Sequence, residues 1–240
     1  MRTDGRTHDQ MRTVEILPHF TKYAEGSCLI KMGETHVLCT ASIDSSVPKW
    51  MQGSPEGWVS AEYGMLPRST HTRIRRDKAL TGGRSQEISR LIGRALRASI
   101  DLKKIPELQI MIDCDVLQAD GGTRTAAITG GFVALGLACQ FAKQQGMIKE
   151  NPLLGYVSAI SVGLKPETAL LDLNYDEDST IDTDMNFVMN HKKQFIEVQG
   201  TAEGQAFSKQ ELDQMTELAT KGCLELHQKQ AAILGEDMGN

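Results

Sequence analysis

The chain has 240 residues, with 26 Lys and Arg against 31 Asp and Glu and a formal net charge of −5. That balance excludes a uniformly basic nucleic-acid-binding surface, and 40% hydrophobic with 24% charged residues excludes a disordered or collagen-like chain. Five cysteines, an odd number (Cys28, Cys39, Cys114, Cys139, Cys223), lie scattered with no C-x-x-C pair, which predicts reduced thiols in a cytoplasmic protein. The first residues, Met1 to Arg6, carry charge without the apolar stretch of a signal peptide. No run of about 18 apolar residues marks a membrane span, so no membrane partner is expected.

In chain order, Gly26–Met32 and Thr35–Ser42 are strand-like runs joined by Gly33-Glu34, the signature of a tight hairpin. Residues 45–83, rich in Gly, Pro, Ser and Thr, read as an extended loop region with a short strand near Trp58-Val59. From Arg84 the period becomes helical. Ile88, Leu91, Ile92, Ala95, Leu96 and Ser99 share one face, and Arg90, Arg94 and Arg97 point the other way, outward. Leu108–Leu117 alternates as a strand, with Ile110, Ile112, Cys114 and Val116 on one side. A buried helix over Ala126–Gln145 follows, where Gly130, Gly131 and Gly136 suggest close backbone packing.

Gly146–Gly155, with Asn151-Pro152, is the expected boundary between two similar halves of one domain spanning 1–240. Beyond it, Val157–Leu164, Ala169–Asn174, Met185–Asn190 and Gln194–Val198 are expected strands. Ser208-x-x-Glu211 is a capping box that opens a last helix to about Leu234. Meanders followed by helices predict an α+β architecture of mixed sheets packed with helices.

The net charge hides a segregation. Residues 68–104 hold 11 bases and 3 acids, a surplus of eight positive charges, which leaves −13 for the rest. Residues 172–184 hold six acids and no base. Such blocks are either solvated faces paired with one another or the means of holding a polyanion and a divalent cation. Gly121-Gly122-Thr123-Arg124 lies between a predicted strand and a predicted helix, where free backbone N–H groups and the positive helix end favour an anion. Gly82-Gly83-Arg84 repeats that logic. A glycine pair before a helix is more often structural than functional, but two of them, each with an arginine, favour a bound phosphate. It is not a Walker A loop, since no G-x-x-x-x-G-K-[ST] is present. Asp178 and Asp184 are the candidate oxygen ligands for Mg2+ or Mn2+. With no G-x-S-x-G, no H-E-x-x-H and six dispersed histidines, the nucleophile should come from outside, either inorganic phosphate or water.

A resemblance to a known family is carried by residues 1–6, Val37–Ser42, Gly57–Arg73, Asp113–Ala126, Glu177–Ser179 with Thr183–Asn186, and Glu197–Gly204. In them the chain resembles the bacterial ribonuclease PH family, phosphate-dependent 3′-to-5′ exoribonucleases that trim transfer-RNA precursors. The resemblance implies a ribosomal-protein-S5-like α+β fold and a homohexamer built as a trimer of dimers. It implies phosphate contacts by Arg84, Gly122, Thr123 and Arg124, a metal at Asp178 and Asp184, and RNA contacts by Arg68, Arg73 and Arg76. The stretch between Arg76 and Gly82 is about two residues shorter than the family's usual pattern. The rival readings are metal-dependent hydrolysis and an inactive RNA-binding ring subunit.

Overall fold

The computed structural model describes residue 2 and residues 4–77, 82–165, 168–204 and 206–235. The shortened stretch before Gly82 lies mostly outside them. Two sheets carry the architecture. In the first, strands β1 (Val14–Pro18), β2 (Gly26–Met32), β3 (Thr35–Asp44), β4 (Trp58–Met65) and β5 (Gln109–Gln118) stand in the order β1-β2-β3-β5-β4. Among the described residues only the β4–β5 pair is parallel, and helix α1 (Gly83–Arg97) lies in its crossover. In the second sheet, β6 (Val157–Lys165), β7 (Thr168–Leu171), β8 (Thr183–Asn190) and β9 (Phe195–Ala202) form an antiparallel array in the order β7-β6-β8-β9.

The long helix α2 (Thr123–Gln144) packs against β2, β3 and β5 of the first sheet and against β6 of the second. A single hydrophobic core therefore runs through both sheets. By length and a mean hydropathy of 1.5, α2 could cross a bilayer, but it is buried among the sheets instead. Close approach explains its glycines: a Cβ on Gly130 would lie 2.7 Å from Ile30 Cγ2 and 2.8 Å from Cys39 Sγ. A one-turn helix, α3 (Tyr175–Asp178), joins β7 to β8, and α4 (Lys209–Leu234) packs on β6, β7, β8 and α2. The Ser208–Glu211 capping box forms in both directions.

The structure departs from the sequence reading at several places. β1 was not expected. β4 runs for eight residues rather than a short stretch near Trp58, because β5 pairs with it from Trp58 to Met65 and this pairing overrides weak local propensity. α2 begins at Thr123, three residues early, which puts Thr123 and Arg124 in its first turn. The expected strand over Ala169–Asn174 stops at Leu171, since Asp172 adopts φ 57° and Asn174 caps α3. Arg97 does not point outward freely: its guanidinium lies 4.4 Å from the centre of the Trp58 ring and donates to the Val59 carbonyl at 2.8 Å.

His227 on α4 is buried, with its ring stacked 6.3 Å from that of Tyr156. Burial pushes its pKa down to about 4, and nearby His191 adds to the fall. The neutral ring is favoured in the fold, while the unfolded chain takes up a proton near pH 6.5. This contribution to stability is thus complete above pH 6.5 and is lost as the pH falls toward about 4, on the order of 3 kcal/mol in all. Urea unfolding of His227→Leu between pH 6.5 and 4.5 should show a shallower decline in stability than the wild type. Parallel declines would disprove the assignment to His227.

Candidate active site

A cleft of about 1200 Å³ opens where the two sheets meet. The turn after β5 and the start of α2 supply Gly121, Gly122, Thr123 and Arg124, and the start of α1 supplies Arg84. From the second sheet come Asp178 at the end of α3, Asp184 on β8 and Gln199 on β9. The residues expected for phosphate and for a cation thus line one cleft. Arg68, Arg73 and Arg76 are exposed and stand outside the lining, although Thr70, His71, Thr72 and Ile74 of the same segment belong to it.

Both helices enter the cleft on a glycine N-cap, Gly82 for α1 and Gly122 for α2, and neither cap has a side chain to bind the first-turn N–H groups. Those donors are left for an anion. Gly121 (φ 74°) and Gly122 (φ 66°) are both left-handed, and a Cβ on Gly121 would lie 2.6 Å from the Leu173 carbonyl oxygen. The Tyr63 hydroxyl reaches the Thr123 hydroxyl at 2.8 Å. Burial raises the Tyr63 pKa, against the pull of that hydrogen bond and of Arg84 and Arg124. The Arg124 guanidinium donates to Gln199 Oε1 at 3.3 Å and lies 3.9 Å from Glu87 Oε1. The Arg84 side chain makes no hydrogen bond or ion pair to another described residue.

Water reaches Asp178, yet the cleft walls strip enough hydration to raise its pKa, and the neighbouring Asp184 carboxylate raises it further. Arg124, Arg84 and Arg12 oppose that rise. Two carboxylates that repel one another beside cationic groups form a site that gains from a bound cation.

The acidic block is not a single cation site. Asp172 is fully buried, and both its oxygens accept from Arg12: Nη2 at 2.8 Å, Nε at 2.9 Å and the backbone N–H at 2.8 Å. Glu177 accepts from Arg2 Nε and Nη2, each at 2.7 Å, and Arg6 Nη2 lies 3.4 Å away. Arg12 also donates to the Asp120 and Gly121 carbonyls, so three N-terminal arginines bind the segment that carries Asp178 and one of them also holds the Gly121-Gly122 turn. Sequence reasoning missed Arg2, Arg6, Arg12 and Tyr63 as parts of the site. Arg2 and Arg6 lie in the run at residues 1–6 and Tyr63 in the run Gly57–Arg73, both of which the family resemblance marked without giving these residues a task, while Arg12 lies in neither.

Family models of the 3′ exoribonuclease family match this chain, domain 1 over residues 10–139 and domain 2 over residues 155–222. The chain belongs to the 3′ exoribonuclease family. The ribonuclease PH of Bdellovibrio bacteriovorus is 61% identical over 236 residues, covering 98% of this chain and 97% of that protein. At that identity, this chain is a phosphorolytic 3′-to-5′ exoribonuclease, with inorganic phosphate as co-substrate. The fold also matches a chain of the Archaeoglobus fulgidus exosome with RNA bound to the active site (TM-score 0.81, 22% identity, 95% of this chain and 92% of that one). A further match is rice Rrp46, with a TM-score of 0.78 and 18% identity over 98% of this chain and all of that one.

Proposed function

We propose that Arg84 and the Gly122-Thr123-Arg124 turn seat inorganic phosphate, and that Asp178 and Asp184 hold a divalent cation. The observation that carries this reading is the convergence of two glycine-capped helix starts and a carboxylate pair on one cleft. Held there, a phosphate oxygen attacks the last phosphodiester of an RNA 3′ end, the bond to the 3′-oxygen breaks, and a nucleoside diphosphate leaves. Holding both reactants in line removes much of the entropic barrier, and the N–H donors and arginines stabilise charge on the transferred group. Because one phosphate linkage is exchanged for a similar one, the same site also adds nucleotides from diphosphates.

No three His, Cys, Asp or Glu residues among the described ones cluster into a metal cage. A two-carboxylate set suits Mg2+, which keeps waters and takes further ligands from substrate. Bound there, it would offset charge on the departing 3′-oxygen.

With 3′-labelled precursor RNA, nucleoside diphosphates should appear only when phosphate is present, and Arg84→Ala should slow their release by about 10²- to 10³-fold. Monophosphates in phosphate-free buffer would establish hydrolysis instead, and an Arg84→Ala protein with near wild-type phosphorolysis would overturn the phosphate seat.

The proposed substrates are transfer-RNA precursors in the cytoplasm, guided by the exposed Arg68, Arg73 and Arg76. Removing one arginine that neutralises an RNA phosphate should reduce the slope of log affinity against log salt by about one, so Arg73→Ala and Arg76→Ala should each flatten it. Unchanged slopes would remove these arginines from the RNA path. The proposed assembly is a homohexamer, a trimer of dimers, in keeping with the family resemblance. Light scattering should give six times the chain mass, and a stable monomer would refute the ring.

A further inference from the structure

The phosphate turn is held from behind by groups that do not line the cleft. Thr35 is fully buried; its hydroxyl accepts from the Asp120 N–H at 2.9 Å and donates to the Gly121 carbonyl at 2.6 Å. Arg12 donates Nη1 to the Asp120 carbonyl and Nη2 to the Gly121 carbonyl, the latter at 3.4 Å. Its Nη2 also lies 3.1 Å from where a Cβ on Gly122 would stand. Arg12 is in turn locked on both oxygens of Asp172, with side-chain exposures of 5% and 0%. In a planar trans peptide the carbonyl and the following N–H point in opposite directions. Anchoring the Gly121 carbonyl inward therefore aims the Gly122 N–H outward, toward the cleft that Gly121, Gly122 and Thr123 line.

We propose that Arg12 and Thr35 are positioning residues for the co-substrate: they touch neither phosphate nor RNA, and they set phosphate affinity by fixing the direction of the turn's N–H groups. Asp172 is the third member, because it fixes the guanidinium fork. This inference rests on the phosphate seat proposed above. It also predicts a separation of effects that a purely structural role would not produce, since RNA contacts outside the turn are untouched.

The gentlest test is Thr35→Val, which keeps the shape and removes both hydrogen bonds. Arg12→Lys keeps a positive charge beside Asp172 and removes the fork. Both proteins are assayed for KM of phosphate, KM of RNA and kcat, for phosphate binding by calorimetry without RNA, and for melting temperature. The expected result for each is a rise of about tenfold in KM for phosphate, matched by weaker calorimetric binding, with KM for RNA unchanged. The double variant should lose less than the product of the two, because both residues act on the Gly121 carbonyl. If Thr35→Val folds and binds phosphate as the wild type does, the inference is wrong while the phosphate seat stands. A uniform fall in all parameters that follows loss of folded protein would show a merely structural role. If wild-type protein shows no phosphate binding, the seat itself fails.

Discussion

The site depends on the ion pair between Arg12 and Asp172. It joins three distant parts of the chain: the segment before β1, the turn after β5 and the bend after β7. Burying such a pair is expensive, and an apolar pair of the same volume often serves stability as well or better. An apolar pair could not supply donors to the carbonyls of Asp120 and Gly121, which would then lose those hydrogen bonds behind the turn that lines the cleft. Arg2 and Glu177 repeat the arrangement one step along, where Arg2 also donates to the Leu171 and Asp172 carbonyls. The left-handed turn at Asp172 is the geometric cost of directing its carboxylate inward.

Much of the fold was legible because local patterns and tertiary demands agree. The alternation Ile110, Ile112, Cys114, Val116 reports a half-buried strand, and all four side chains are buried. Gly33 and Glu34 do separate β2 from β3, and the Ser208 box does start α4. What escaped notice depends on partners far away in sequence. β4 owes its full length to β5, and the strand expected to reach Asn174 is broken by the demand of Arg12 for Asp172. For the site, Arg84 and Gly122 to Arg124 were visible because a glycine pair before a helix is a local signal with a local meaning. Arg2, Arg6 and Arg12 were not, since arginine is normally a surface residue and nothing in its neighbours announces that it will be buried.

The two charge blocks also prove less simple than their totals. In the basic block Arg75 pairs with Asp77, Arg94 crosses to Glu197 on β9, and Arg97 covers Trp58. In the acidic block Asp172 and Glu177 are neutralised by arginines from the N-terminal segment. The cleft itself is lined by Arg84 and Arg124 and by the carboxylates of Asp178, Asp184, Glu87 and Glu203, with Glu87 3.9 Å from Arg124. Part of each block is paired within the fold and part faces the cleft, and only burial and distance separate the two.

Helix α2 serves as the core of both sheets and, through its first turn, as a wall of the cleft. Many enzymes put their binding loops in the least stable part of the molecule, so that the site can open without disturbing the rest. Here the Gly121-Gly122 turn that lines the cleft is covalently continuous with a deeply packed helix, and it cannot swing away unless that helix moves too. A change in how α2 packs on either sheet is therefore carried directly to the turn that lines the cleft.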